Sequence, residues 1–201
     1  MRDFSQYGEA TWIRSYFSNP KHKFFVDVGA FGMSLSNTWS LATEGGWKGI
    51  AIEANPDRIA ALRKDFKGTD VKVVSAAVGS KWGVTRLNLH SIPEHDSLKE
   101  YWYQETKTPD SIVVVVVPLA VVLKACDVPV DFDFLSIDTE GMDEEIMEAF
   151  FAEKMYYPKL VVTEAMSYQD ADGFFTKRGY RLVHTTGSGV YTNRFYERCF
   201  E

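Results

Sequence analysis

Phe24-Phe25-Val26-Asp27-Val28-Gly29-Ala30-Phe31-Gly32 is the stretch that decides how this chain folds. An apolar run that ends in an acid and a glycine-containing turn has the pattern of a buried parallel strand feeding a helix. A second run of the same kind follows, Gly49-Ile50-Ala51-Ile52-Glu53-Ala54-Asn55-Pro56. In nucleoside-binding α/β folds, a carboxylate about 20 residues beyond the first turn accepts hydrogen bonds from the ribose hydroxyls. Glu53 stands at that position. The pair predicts a nucleoside-bearing cofactor lying across the carboxyl edge of a sheet.

Charge bears on which cofactor. A dinucleotide brings a pyrophosphate, which seeks backbone N–H groups at a helix N-terminus and glycines that permit close approach. Asp27 would repel that anion, and the turn offers only Gly29 and Gly32 in place of G-x-G-x-x-G. S-adenosylmethionine has no phosphate and carries a sulfonium and an ammonium group, so a carboxylate at the turn favours it. It is the expected cofactor, with S-adenosylhomocysteine as product. A nicotinamide dinucleotide is the competing reading.

Working outward, the pattern is β-α-β-α-β. A helix over about Ser34 to Thr43, closed by Gly45-Gly46, separates the two acid-ended strands. Asn55-Pro56-Asp57 opens the next helix, where Ile59, Leu62 and Phe66 share a face, and a third strand runs from Val71 to Ala76. Such alternation implies a parallel sheet with right-handed crossovers. An N-terminal helix over about Tyr7 to Phe17 precedes it. The middle is less regular. Val84 to Leu89 alternates like a strand, and Ser91 to Asp110 is a long polar and aromatic stretch holding Tyr101-Trp102-Tyr103. A loop of that length is uncommon unless it is functional or mobile, and its aromatics could stack on a flat acceptor or pack in a core. The valine run from Ile112 to Val117 suits a strand buried on both faces, and Leu119 to Lys124 a helix. Regularity returns with a strand at Phe132–Ile137 and a helix at Met142–Ala152, whose first turn holds Asp143, Glu144 and Glu145. A strand at Lys159–Thr163, a helix at Tyr168–Lys177 and a closing pair of strands, at least one antiparallel, complete the chain.

At 201 residues the expectation is one α/β domain over 1–201, with an N-terminal helix region at 1–22 and inserted strands and loop at 84–117 near the acceptor site. A net charge of −6 argues against a general nucleic-acid binder. Cys126 and Cys199 match no metal or redox spacing and read as reduced thiols. The first residues lack a signal-peptide core, and the most apolar stretch contains Pro118 and is too short for a membrane helix. The expectation is a cytoplasmic protein with neither nucleic-acid nor membrane partners. Exposed aromatics near the N-terminus would permit a homodimer.

Asp27, Glu53, Asp138 and Glu164 each end a strand. Each could cap the helix that follows or face a ligand, since ligands bind at the carboxyl ends of strands in open α/β sheets. The segments Asp27-Val28-Gly29-Ala30, Ser36-Asn37-Thr38, Gly46-Trp47-Lys48-Gly49-Ile50-Ala51-Ile52-Glu53, Gly179-Tyr180 and above all Asp133-Phe134-Leu135-Ser136-Ile137-Asp138-Thr139-Glu140-Gly141 resemble the FkbM-type methyltransferases. These are class I, S-adenosylmethionine-dependent enzymes, many acting on hydroxyl oxygens of sugars or polyketide-like metabolites. The resemblance runs from about Phe24 to about Tyr191. It implies a Rossmann-like, mostly parallel seven-stranded sheet of order 3-2-1-4-5-7-6, with helices on both faces and an inserted β segment after strand three. It also implies a cofactor set: Asp27, Gly29, Ala30, Phe31 and Gly32 around the methionine part, Glu53 with Ala54 and Asn55 at the ribose, Ala76 near adenine, and Asp138. Phe31 stands where family members usually carry a polar residue, and it cannot offer a side-chain hydrogen bond.

A hydroxyl acceptor needs a base to take its proton or a cation to lower its pKa. Asp138, Glu140 and His90 are the candidate catalytic residues, with His95 in reserve. An extended backbone would point Asp138 and Glu140 the same way; Glu140 could equally be a helix N-terminal acid, and His90 a solvent-facing side chain. Asp138, Glu140 and Glu164 could offer oxygens to Mg²⁺, but nothing in their spacing demands a metal and none is expected. The expected activity is methylation of a hydroxyl on a sugar or small metabolite. An NAD-linked oxidoreductase and an inactive cofactor-binding module are the alternatives.

Overall fold

The structure is a computed structural model that describes residues 3–99 and 110–199. Among the described residues, ten strands form two sheets: β1 (Phe24–Val28), β2 (Lys48–Glu53), β3 (Val71–Ser75), β4 (Ala77–Gly79), β5 (Gly83–Leu89), β6 (Asp110–Pro118), β7 (Phe134–Ile137), β8 (Leu160–Glu164), β9 (Tyr180–Thr186) and β10 (Asn193–Arg198). The larger sheet runs β3-β2-β1-β7-β8-β10-β9. Numbered by its own members alone, that is 3-2-1-4-5-7-6, the expected order. Its first five strands are parallel, and β10 runs antiparallel to both its neighbours.

Alternate side chains of each strand point to opposite faces, and the two faces have separate cores. Val26, Val28, Ile50, Ile52, Leu135 and Ile137 pack under α4 (Leu119–Ala125), α5 (Asp143–Ala152) and α6 (Ala171–Thr176). Phe25, Ala51, Phe134, Leu160 and Val162 pack under α1 (Glu9–Tyr16), α2 (Trp39–Thr43) and α3 (Ile59–Asp65). Burying each of the larger of these side chains contributes roughly 1.5–3 kcal/mol. The aromatics of α1 turn onto this second face: Trp12 stacks on His184, ring centroids 4.3 Å apart. No helix among the described residues is long and apolar enough to cross a membrane.

Two expectations are corrected. The helix expected over Ser34 to Thr43 is only α2, five residues long. Leu35 takes a left-handed backbone (φ 65°), and Ser36 Oγ accepts the N–H groups of Thr38 (3.1 Å) and Trp39 (2.8 Å). These local bonds replace the first helical turns. The valine run is not buried on both faces. Val114 and Val116 are buried, whereas Val113 is 70% exposed and Val115 57%. The reason is that β6 belongs to a small sheet, β4-β6-β5, in which only the face carrying Ala77, Leu87, Val114 and Val116 is covered, with Ala54 and Leu98 packed against it. Ala76 hands the chain from the large sheet to the small one, and its N–H donates to the Glu53 carbonyl (3.0 Å). Tyr101-Trp102-Tyr103 lie outside the described residues.

Candidate active site

Strand parity brings the acids together. Asp27 follows Phe25 by two residues, Glu53 follows Ala51, and Glu164 follows Val162, so all three leave the sheet on the α1–α3 face. Asp138 continues the phase of Phe134 and Ser136. The sheet order then sets Asp138, just past β7, between the ends of β1 and β8.

The turn after β1 fixes the floor of the site. Gly29 (φ 83°) and Ala30 both donate to the Ile52 carbonyl at 3.0 Å, and Asp138 N–H donates to Val28 O at 3.0 Å. A Cβ on Gly29 would lie 1.8 Å from the Asp138 carbonyl oxygen. The turns after β1 and β7 thus touch backbone to backbone, and only glycine fits. Phe31 follows, with the Arg58 guanidinium 4.7 Å above its ring. Arg58 is itself held by an ion pair to Asp96 at 2.7 Å. Phe31 therefore offers a flat wall where a polar side chain would offer a hydrogen bond.

Two clefts open along this edge. The first is lined by Asp27, Gly29, Ala30, Phe31, Gly32, Ser136, Asp138, Glu140, Glu164 and Asn193, with Glu9, Glu94 and His95 at its sides. None of the described residues lining it is a lysine or arginine. The second is lined by Glu53, Ala54, Ala76, Ala77, Val78, Ile52, Val28 and Leu87. They share Gly29, Phe31, Glu94, Asp138 and Glu140, so they form one crevice across the carboxyl ends of the strands.

Burial raises the pKa of Asp27, Glu53, Asp138, Asp143 and Glu164 at this edge. Asp27 accepts a hydrogen bond from Thr38 Oγ1 (2.6 Å), which only partly offsets its desolvation, and it stands at about 6. Glu53 is pushed up to about 7 by burial, against the pull of the Asn55 N–H (2.6 Å to Oε1) and of Arg58. Glu164 is pushed up to about 8 by burial and by the charges of Glu140 and Asp143. Asp138 keeps solvent contact through the mouth of the crevice, yet the protein around it desolvates it. The charges of Glu140, Glu164, Asp143 and Asp27 add to this, and its pKa lies well above the ordinary range. Asp143, wholly buried at the start of α5, takes the N–H (2.9 Å) and hydroxyl (2.6 Å) of Thr139 and the hydroxyl of Thr163 (2.9 Å). It holds the β7–α5 turn.

The profile of the methyltransferase FkbM domain matches residues 27–182, most of the chain. The chain belongs to the FkbM methyltransferase family. It is accordingly an S-adenosylmethionine-dependent methyltransferase, which disposes of the NAD-linked reading. Three solved structures share the fold at low identity. Methyltransferase FkbM from Methylobacillus flagellatus KT is 14% identical, over 96% of this chain and 48% of that one, with a TM-score of 0.55. The present chain thus spans about half the length of that protein. Precorrin-6y C5,15-methyltransferase from Geobacter metallireducens GS-15 is 16% identical, over 94% and 86% of the two chains, with a TM-score of 0.50. The N-terminal domain of human METTL16, solved in complex with SAH, is 12% identical over 95% and 68%, with a TM-score of 0.51. No curated protein matches the chain.

In this FkbM methyltransferase, all the residues expected at the cofactor except Asn55 line the crevice. Asn55 works one step back. Its N–H holds Glu53, its Oδ1 accepts from Asp57 N–H (3.0 Å), and its Nδ2 donates to Asp96 (3.0 Å). Glu140 does not follow an extended backbone, since its φ is +55°. Its carboxylate nonetheless meets those of Asp138 and Glu164, the three oxygens lying within 4.8 Å of one another. His90 lines neither cleft; its Nδ1 accepts the Ile92 N–H at 3.1 Å. His95, on a 3-10 turn at Pro93–His95, does line the first, and burial lowers its pKa. Sequence reasoning missed Ser136, Asn193 and Glu9. Ser136 was findable, being two residues before Asp138 on the same strand face. Asn193 and Glu9 were not: Glu9 Oε1 accepts from Thr186 Oγ1 (2.7 Å) and Asn193 Nδ2 (3.2 Å), contacts across nearly the whole chain.

Proposed function

We propose that the protein methylates a hydroxyl oxygen of a small polar acceptor such as a sugar. The observation that carries the reading is the first cleft, with carboxylates of raised pKa beside the cofactor turn and no lysine or arginine among its described lining residues.

The crevice fits S-adenosylmethionine. The second cleft has an apolar wall, Val28, Ile52, Ala76, Ala77 and Val78, suited to adenine, and Glu53 at its rim for the ribose hydroxyls. Gly29 lies where the two clefts join, and Asp27 sits where an ammonium and a sulfonium are stabilised by an anion. When bound, the donor supplies an activated methyl group. The rest falls to the chain. The first cleft holds the acceptor in line with the S–CH₃ bond, and such positioning supplies several kcal/mol of the barrier. Asp138 and Glu140 lie where they can take the hydroxyl proton. A carboxylate whose pKa is raised toward neutrality is a stronger base once ionised. With S-adenosylmethionine held by Asp27, Gly29 and Glu53, the acceptor oxygen would take the methyl carbon, and the C–S electron pair would stay on sulfur.

An acid-lined cleft repels phosphates, which favours a small neutral or cationic acceptor over a nucleic acid. Free Cys126 and Cys199 suit the reducing cytoplasm. The test is calorimetry with S-adenosylhomocysteine followed by turnover on a panel of sugars and hydroxylated metabolites. The parent protein is expected to bind, and Glu53→Ala to bind more weakly by roughly 1–3 kcal/mol, the worth of charge-assisted hydrogen bonds. Unchanged affinity would remove Glu53 from the ribose site. Binding without turnover on any hydroxyl acceptor would count against O-methylation.

A further inference from the structure

We propose that Asp138, Glu140 and Glu164 form a binding site for one hard divalent cation of the Mg²⁺ or Ca²⁺ class. Each offers one carboxylate oxygen, and the three oxygens lie within 4.8 Å of one another. Ligands on opposite sides of Ca²⁺ are about 5 Å apart and of Mg²⁺ about 4 Å, so the spacing already falls within a Ca²⁺ shell, and Mg²⁺ would draw the three carboxylates slightly closer. The acids around them are otherwise engaged. Asp27 is bonded to Thr38, and Asp143 to Thr139 and Thr163.

An independent observation points the same way. Glu164 is 7% exposed, yet its Oε2 has no hydrogen-bond partner, and the side chain faces the cleft that Asp138 and Glu140 also line. A buried carboxylate oxygen without a donor is costly. A cation between the three acids removes that cost. The donor set is all oxygen, without cysteine or histidine, which selects hard ions over zinc or copper.

This deepens the methyl-transfer reading and rests on it only for the ion's role, not for its binding. The open coordination positions face the cleft. An acceptor hydroxyl entering one of them has its pKa lowered. The three carboxylates then serve as ligands, the hydroxyl proton leaves to solvent, and the oxygen forms its bond to the methyl carbon as before.

Mn²⁺ serves as the probe, titrated into the protein and followed by electron paramagnetic resonance, with Mg²⁺ and Ca²⁺ as competitors. The expected result is one Mn²⁺ per chain, displaced by either competitor. Glu164→Gln should weaken binding at least about tenfold, whereas Asp131→Asn at the opposite edge should leave it unchanged. If Glu164→Gln fails to fold, Asp138→Asn provides the same comparison. No bound Mn²⁺ at millimolar concentration, or equal affinity in the cluster variant and the parent, overturns the site. Calorimetry with S-adenosylhomocysteine on the same samples separates the two readings. Nucleoside binding without Mn²⁺ overturns the cation alone, and Mn²⁺ binding without the nucleoside overturns the donor assignment alone.

Discussion

The two ends of β1 and β7 carry acids of opposite character. At the amino end, Asp133 is 1% exposed and accepts the N–H groups of Lys21 (2.8 Å), His22 (2.9 Å) and Phe24 (3.2 Å). Asp131 beside it pairs with Lys21 and His22, and the Lys21 ammonium holds its pKa down at about 2. At the carboxyl end, Asp27, Glu53, Asp138 and Glu164 all have raised pKa values, and Glu164 keeps an oxygen with no partner. Acids that serve the fold are compensated by the fold. Acids left uncompensated in a crevice await a cation from outside, and a sulfonium or a metal ion supplies it.

The largest effect that could break this contrast is in catalysis. Asp138→Asn should lower methyl transfer by roughly 10²–10⁴-fold, the usual worth of a positioned base, and equally so where Asp138 acts as a ligand to the ion that lowers the hydroxyl pKa, while its unfolding midpoint in urea stays close to that of the parent. A variant that turns over normally would put Asp138 on the structural side of the ledger. Next in size is the mirror experiment. Asp133→Ala strips the acceptor from three N–H groups at a buried site and should cost about 3 kcal/mol of stability, read from the same urea curves. A loss below about 1 kcal/mol would show that the amino-end acids are not compensated in the way described.

The smallest effect is on the pH dependence of the free protein. Asp27, Glu53 and Glu164 stand at about 6, 7 and 8, above their ordinary values near 4. Between pH 4 and 8 the folded chain therefore holds protons that the unfolded chain has released. Stability falls as pH rises through that window and levels off above about 8. Asp131 works in the opposite sense, its contribution being lost only as pH falls toward about 2. Thermal unfolding of the ligand-free protein should come at a higher temperature at pH 5 than at pH 8. A higher Tm at pH 8 would contradict the raised values.

Much of this edge was legible in the sequence, because a buried parallel strand that stops at an acid has few other readings. Asp27 and Glu53 fall where that pattern places them, and Ala76 where the family resemblance places it, along one crevice. The meeting of Glu164 with Asp138 and Glu140 was harder to see, since it depends on β7 lying next to β8 and on the left-handed turn at Glu140. Residues 34–38 read as helix because their side-chain bonds, Ser36 to the backbone and Thr38 to Asp27, leave no trace in apolar spacing. The valine run misled for the opposite reason. When every position is apolar, the period of two that marks a one-sided strand is invisible, and only the cover over Val114 and Val116 distinguishes them from Val113 and Val115.

The contact between Gly29 and the Asp138 carbonyl limits how this enzyme can change. No mutation at position 29 is open to a lineage acquiring a new acceptor, because the smallest side chain would wedge two catalytic loops apart. Diversity has to come from the rim instead, at exposed positions such as Leu35 and Tyr191 that border the first cleft without shaping its floor. A directed-evolution library built on this scaffold is best concentrated there.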